Sequence, residues 1–294
     1  MSPSFEHEFT FKLPAPPERV FRALTDPAEL RHWFAEHAEV EPRVGGAYRF
    51  WGKATLGAPR EPGRDQVLTA LEPGHGLGFS WTIQGVPTEV TYTVQPGEGP
   101  DTCSLVIRHA VRGQLPYRKP QHVIDDLWRI HTGNLKDHLR EGTQITLPDF
   151  TSGAPEVRAS IEIAAPPAKV YRALLVPELM NRWLFGSARV DVDRGELSYG
   201  WSYTCEGRSV AGGPTRILEK VENERLVTDW TDWRGEPDKP MTRVTWLLES
   251  LEEGRRTRVT VIHDRFELPV DRSDYLQGWA GFLKMLAKVA TDAS

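Results

Sequence analysis

Histidine is the residue type in this chain best suited to acid–base chemistry or metal binding. The sequence contains nine histidines, and an imidazole can exchange a proton or bind a metal near neutral pH. His109, His131 and His263 lie in segments that could face a pocket, which makes them the candidates for a catalytic base. A catalytic histidine usually needs an orienting carboxylate, and the sequence assigns none to them. We therefore favour a structural role for each.

Other reactive groups lack the spacing that their chemistry requires. His131 and His138 are two helical turns apart, and no H-E-x-x-H or C-x-x-C motif occurs. The glycine-rich stretches lack the phosphate-loop pattern, and there is no G-x-S-x-G motif. Cys103 and Cys205 have no nucleophile context and are expected to be reduced structural thiols. The sequence thus predicts no metal and no cofactor.

Aromatic side chains give the stronger indication of function. The chain has ten tryptophans, and although large rings often simply fill a core, each buried indole N–H needs a partner that a ligand or pocket water could provide. We therefore predict two aromatic-lined pockets. The first would be lined by Trp33, Tyr48, Phe50, Trp81, Tyr92 and Trp128. The second would be lined by Trp183, Tyr199, Trp201, Trp230, Trp246, Trp279 and Phe282.

The chain contains one segment twice. Residues 16–27 read PPERVFRALTDP and residues 166–177 read PPAKVYRALLVP, and each is followed at the same spacing by a tryptophan, Trp33 or Trp183. The period of about 150 residues is too long for a solenoid repeat, so each copy is expected to fold as a domain. The predicted domains are residues 1–142 and 156–294, joined by a linker over residues 143–155.

Hydrophobic periodicity gives the same order of elements in both halves. An alternating strand (Phe5–Leu13 in the first half) precedes two short helices and a series of strands separated by turn residues. One of these strands is predicted over Glu196–Thr204. Each half ends in a long helix, over Pro120–Arg140 and Ser273–Ala290. This order predicts an α+β fold, in which a curved antiparallel sheet of about six or seven strands wraps around the long helix.

Aligning the two halves predicts that their pockets differ. The alignment pairs His263 with Arg108, and it places His131 of the first long helix at the position of Trp279 in the second. Trp128 then stands one turn before His131. We expect the second domain to be the binding domain because its helix has an aromatic residue at this position.

Three segments together resemble a known protein family. They are the P-P-x-x-V-[FY]-R-A-L start of each half, the strand start at Gly45–Phe50 and the helix pattern at Gly278–Leu286. They are similar to the START-like (SRPBCC, Bet v 1-like) superfamily and, within it, to the activator of Hsp90 ATPase homologue (Aha1 C-terminal-like) family. The resemblance implies two tandem helix-grip domains. Members include lipid and hormone carriers, polyketide cyclases and aromatases, and antibiotic self-resistance proteins, so it implies function only broadly.

Charge and composition narrow the classes of partner. The formal net charge is −5 and the hydrophobic fraction is 39%, values typical of a soluble globular protein without a nucleic-acid footprint. No apolar run is long enough for a membrane span, and the first residues lack the pattern of a signal peptide. A cytoplasmic protein is the expectation. Chaperone activation is not expected, because the co-chaperone that names the family uses a separate N-terminal domain that the residues before Phe5 do not supply.

Three functions remain open at this point. The first is non-enzymatic binding of a hydrophobic, aromatic or polycyclic small molecule, by a carrier, a sequestering or self-resistance protein, or a sensor. The second is a polyketide cyclase-like or aromatase-like enzyme, which a histidine–carboxylate pair in a pocket would favour. The third is a chaperone-linked protein-interaction module with filled cores and a protein partner. We predict the first, with a hydrophobic small molecule as partner.

Overall fold

A computed structural model describes residues 4–57, 60–117, 119–140, 145–205, 208–231 and 241–292. The chain forms two compact units. One consists of Met1–Gly153 with Pro269–Asp274, and the other of Ala154–Leu268 with Tyr275–Ser294. Both have the predicted α+β architecture, and they are the first and second domains. The exact domain and linker boundaries given above stay predictions.

The first domain has a five-stranded antiparallel sheet, a separate two-stranded sheet and three helices. The main sheet has the order β1-β7-β6-β5-β4, and β2 pairs with β3. The elements are β1 (Phe5–Leu13), α1 (Pro17–Thr25), α2 (Pro27–Trp33), β2 (His37–Val40), β3 (Tyr48–Trp51), β4 (Leu68–Glu72), β5 (Gly76–Ile83), β6 (Val86–Pro96), β7 (Cys103–Val111) and α3 (Pro120–His138).

The second domain repeats this plan. Its main sheet has the order β13-β14-β15-β16-β8, and the pairs β9-β10 and β11-β12 form two small sheets. The elements are β8 (Glu156–Ile163), α4 (Pro167–Leu175), α5 (Pro177–Leu184), β9 (Arg189–Asp191), β10 (Glu196–Ser198), β11 (Trp201–Cys205), β12 (Arg208–Gly212), β13 (Ile217–Val221), β14 (Arg225–Trp230), β15 (Thr242–Leu251), a 3₁₀ turn (Glu252–Gly254), β16 (Arg256–Asp264) and α6 (Pro269–Asp292). The part of α6 from Tyr275 onward belongs to this domain, whereas its first residues, Pro269–Asp274, belong to the first domain.

Local sequence explains where the short helices begin and how the strands face. Pro17 and Pro167 stand in the first helical turn, where a missing backbone N–H leaves no hydrogen bond unmade. Asp26 caps α2, because its Oδ1 accepts a hydrogen bond from the N–H of Ala28 at 2.7 Å. Along β6 and β7, alternate residues are buried, as expected of strands with one face against a core.

The single strand predicted over Glu196–Thr204 is wrong. The chain forms two strands there, β10 and β11, which belong to different small sheets. Gly200 separates them with a φ of 70°, a left-handed conformation that glycine adopts without strain. A Cβ at this position would lie 2.3 Å from the carbonyl oxygen of Ser187, so a larger residue would force the two segments apart. Because of this break, the side-chain direction of Trp201 does not follow from the alternation of residues along β10.

Three further predictions concerned membrane-spanning helices, the two cysteines and metal sites. None of the helices that the structure describes combines the length and apolar character needed to cross a membrane. Cys103 is a free, buried thiol whose pKa is raised by burial, whereas the side chain of Cys205 lies outside the described residues. In the described ranges, no group of three or more His, Cys, Asp or Glu side chains is arranged to hold a metal ion.

Candidate ligand site

A buried tryptophan–histidine hydrogen bond links the long helix to the sheet in each domain. In the first, Trp128 Nε1 donates to His109 Nδ1 at 3.1 Å. In the second, Trp279 Nε1 donates to His263 Nδ1 at 3.2 Å. The four side chains are at most 2% exposed. The two domains therefore share one arrangement at the centre of the core.

This arrangement corrects the alignment made from the sequence. His109 is opposite Val90 in the β6–β7 pair, and His263 is opposite Val244 in the β15–β16 pair, so His263 corresponds to His109 and not to Arg108. Likewise Trp279 corresponds to Trp128. His131 and Phe282, each three residues further along the helix, therefore occupy equivalent positions. The sequence alignment failed because the turns between the late strands differ in length.

The Trp–His pairs determine the protonation of the two strand histidines. An indole N–H can only donate, so Nδ1 of each histidine must be unprotonated and Nε2 must carry the proton. Burial, with a smaller contribution from the charge of His7, lowers the pKa of His109 to about 3. Burial lowers the pKa of His263 to about 3 as well, and its Nε2 lies 2.7 Å from Thr242 Oγ1. In both residues the lone pair that a general base needs is already occupied.

The aromatic residues predicted for the first pocket fill the first core. Trp33, Tyr48, Phe50, Trp81, Tyr92 and Trp128 are all at most 1% exposed. Their rings contact one another, as in Phe50–Trp81 with centroids 5.0 Å apart and Tyr92–Trp128 with centroids 5.7 Å apart. Phe34, which was not among the residues predicted to line the first pocket, lies among them. Phe34 directly follows Trp33 at the end of α2. This position next to a predicted pocket residue was the signal that could have identified it.

Most buried indoles find their partners within the protein. Trp33 and Trp183 each donate to a carbonyl of the preceding helix, at 3.0 and 2.9 Å. Trp201 donates to the carbonyl of Leu184 at 2.9 Å, and Trp230 donates to the hydroxyl of Tyr275 at 2.9 Å. The premise that these N–H groups need a ligand is therefore wrong for the second domain's tryptophans named here. Of the rings named here, Trp201 is only partly covered, whereas Trp33, Trp183 and Trp230 are buried.

In the second domain, four aromatic rings beside the tryptophan core are only partly covered. Trp201 and Phe282 stack with centroids 5.4 Å apart and an interplanar angle of 28°. Tyr275 and Phe266 pack against each other in a tilted arrangement at 5.2 Å, and Tyr275 also contacts Trp230 at 5.9 Å. All four are half-buried, and they form what we call the aromatic rim. Trp230 joins the rim to the core, because its ring lies 6.0 Å from Trp201 and 5.1 Å from Trp279.

The sequence analysis named half of the rim. Trp201 and Phe282 were predicted as ligand-binding residues, whereas Tyr275 and Phe266 were missed. Tyr275 precedes Trp279 by four residues and so shares its helix face, which is a signal that could have identified it. Phe266 follows β16 in a loop and carries no periodic signal. Trp183, Tyr199, Trp230, Trp246 and Trp279 lie deeper, in the buried core.

His131 takes the place of Phe282 in the first domain. Burial lowers its pKa to about 3, against smaller raising effects of the backbone carbonyls of Trp33 and Ala54. Its ring lies 4.4 Å from Phe34 and 6.1 Å from Phe150, centroid to centroid. No carboxylate contacts it in the described part of the chain. The histidine–carboxylate pair that would favour an enzyme is thus not formed by His109, His131 or His263 among the described residues.

Fold and site together define a protein of two tandem helix-grip domains. The chain belongs to the family described as Activator of Hsp90 ATPase homolog 1-like protein, which matches residues 14–140 and 164–291. A comparison with curated proteins finds no significant match.

Solved structures of similar fold include proteins with two domains and with one. DynU16, a protein of the dynemicin biosynthetic locus, is 18% identical with a TM-score of 0.40, covering 98% of this chain and 100% of its own. BexL, a di-domain ARO/CYC from the BE-7585A biosynthetic pathway, is 16% identical with a TM-score of 0.38, covering 97% and 98%. CV1439 from Chromobacterium violaceum is 26% identical with a TM-score of 0.34, covering 46% and 96%.

Proposed function

We propose that the second domain binds a flat, largely apolar aromatic small molecule without converting it. The observation that carries this proposal is the half-buried Trp201–Phe282 stack, backed by Tyr275 and Phe266. Half-buried stacked rings offer both faces and edges to a further ring, and such aromatic contacts contribute about 0.5–1.5 kcal/mol each beyond burial. A carrier, a sequestering or self-resistance protein, or a sensor would all use such a site.

Binding without turnover is supported by the state of the histidines. His263 is the histidine closest to the aromatic rim, with its ring 4.5 Å from both Phe266 and Tyr275. Its Nδ1 accepts from Trp279 and its Nε2 is engaged with Thr242. A cyclase or aromatase reaction would require this imidazole to leave both partners. The site therefore supports recognition of a ring better than proton transfer.

A protein-interaction module is the second candidate. The filled first core and the exposed ring of Phe185, which is 74% exposed, favour it. Phe185 ends α5 in a left-handed conformation, with a φ of 54°, which turns its side chain away from the core. The ligand experiment separates the two candidates, because a protein surface would not bind small aromatics selectively.

Replacing Phe282 with alanine is expected to weaken ligand binding about tenfold, since one stacking face of the rim is lost. The measurement is tryptophan-fluorescence titration with a panel of two- to four-ring aromatic compounds and fatty acids, together with native mass spectrometry of the purified protein. His131→Ala is the matched control, because it alters the equivalent helix position in the first domain. It should leave the affinity unchanged.

Two outcomes would count against the proposal. Equal affinities for Phe282→Ala and His131→Ala, in variants whose circular dichroism shows them folded, would place the site elsewhere. If neither quenching nor a co-purifying ligand is found across the panel, the protein-interaction candidate becomes the better one.

A further inference from the structure

The first domain has a ring in its core that does not come from its own helices or sheet. Phe150 lies in the segment 145–155, which forms neither helix nor strand. Its side chain is only 9% exposed, and its ring packs against His131 at a centroid distance of 6.1 Å. The second domain fills the equivalent helix position with Phe282, whose ring is only half-buried. The connecting segment thus covers in the first domain a position that is open in the second.

Hydrogen bonds of its backbone hold this segment on the domain. Arg272 Nη2 and Ser273 Oγ donate to the carbonyl of Asp149, at 2.7 and 3.4 Å. The N–H of Phe150 donates to the carbonyl of Lys53 at 2.9 Å, and Asn134 Nδ2 donates to the carbonyl of Thr146 at 3.5 Å. A segment without helix or strand hydrogen bonds opens at lower free energy than the sheet beneath it. Phe150 is therefore carried by a segment that can open without disturbing the sheet, at the cost of the hydrogen bonds at Asp149 and Phe150.

A polar atom without a partner lies on the ring that packs against Phe150. His131 Nδ1 is buried and has no hydrogen-bond partner among the described residues. Such an atom, left unpaired in a core, destabilises the folded state. The backbone carbonyls of Trp33 and Ala54 raise the pKa of His131, as ring N–H groups facing them would, and Nδ1 has no partner in the described ranges. We therefore assign the ring proton to Nε2. Nδ1 is then an acceptor without a partner in the described part of the chain, on a ring that contacts Phe34 and Phe150.

We infer that the first domain contains a second binding site, for a small monocyclic phenol, that Phe150 occupies in the unliganded protein. The phenol ring would replace the Phe150 ring against His131 and Phe34. Its hydroxyl would donate a hydrogen bond to His131 Nδ1, which Phe150 cannot do. The ligand would thus satisfy an acceptor that the core leaves unpaired, while the segment carrying Phe150 is released. This site does not depend on binding by the second domain.

The first test follows Phe150 directly, by hydrogen exchange of the full chain with and without p-cresol. We expect p-cresol to accelerate exchange of the Phe150 N–H several-fold, because its bond to Lys53 is broken when the segment leaves. Phe150→Ala removes the internal competitor and should bind p-cresol about tenfold more tightly than the wild type. Unchanged exchange at millimolar p-cresol, or equal affinities of the two proteins, would overturn the inference.

The second test asks whether the hydroxyl is recognised. p-Cresol and toluene differ only in that group, so Phe150→Ala should prefer p-cresol about tenfold. Adding His131→Phe, which introduces the residue type of Phe282, removes the acceptor and should abolish the preference. A preference that survives this substitution would overturn the assignment of the hydroxyl to Nδ1. Because the Phe150 N–H reports on the first domain alone, failure of ligand binding at the aromatic rim would not affect either result.

Discussion

Acidification from about pH 7.5 to about pH 5 should lower the free energy of unfolding by about 4 kcal/mol in the first domain and about 2 kcal/mol in the second. The cause is three buried histidines with a pKa of about 3 in the folded protein, His109, His131 and His263. Unfolded histidine has a pKa near 6.5. Below that pH the unfolded chain takes up protons that the folded core excludes, so stability is complete above about pH 6.5 and declines toward about pH 3.

Urea unfolding at a series of pH values measures this effect. The slope of the free energy against pH gives the number of protons taken up on unfolding, about two for the first domain near pH 5. His131→Phe supplies the matched variant, because it places the aromatic residue of the second domain at this position and should reduce the uptake to about one. A stability that does not change between about pH 6.5 and 5, or identical slopes for the two proteins, would contradict the assignment.

Replacing Trp279 with alanine should lower the stability of the second domain by about 3–5 kcal/mol, the usual cost of removing a large ring from a core. Trp279 is 2% exposed and also holds His263 in place. Trp279→Phe should cost about 1–3 kcal/mol, since it leaves a buried acceptor unpaired. Trp201→Ala should cost only about 1–2 kcal/mol, because this ring is half-buried and loses one hydrogen bond.

Chemical unfolding of the three variants, each compared with the wild type, tests this ranking. The ranking separates residues that stabilise the core from residues that are free to serve a ligand. If Trp201→Ala proves as destabilising as Trp279→Ala, the aromatic rim is part of the core and not a binding surface. The same result would explain a loss of ligand binding in Trp201→Ala without any contact to the ligand.

The elements of this fold are largely encoded locally, which is why the sequence predicts them well. The strand Phe5–Leu13 was predicted with the bounds that the structure shows, and the helix α4 lies within the repeated segment 166–177. Alternation and a proline in the first turn are signals that lie within the elements themselves. The strand over 196–204 failed because a single glycine with positive φ breaks it, and alternation continues across such a break.

The arrangement within the core depends on information that no single element carries. Pairing His263 with His109 requires the lengths of the hairpin turns between the strands, and one residue of register reverses the side on which a side chain lies. Phe150 is a clearer case, since its position follows from where a connecting segment folds back. The candidate rings were identified as a set, but their division into a buried core and a half-buried rim follows from tertiary packing.

In each domain, two residues one turn apart on the long helix have different roles. Trp128 and Trp279 keep the same hydrogen bond to the sheet, while the residues three positions later differ completely, as His131 and Phe282. The duplicated halves thus show that the second position can change from imidazole to phenyl while the first retains its bond. A chain built in this way can acquire a new chemical preference by exchanging one residue. We expect libraries randomised at positions 131 and 282 to yield many folded proteins, and libraries randomised at positions 128 and 279 to yield few.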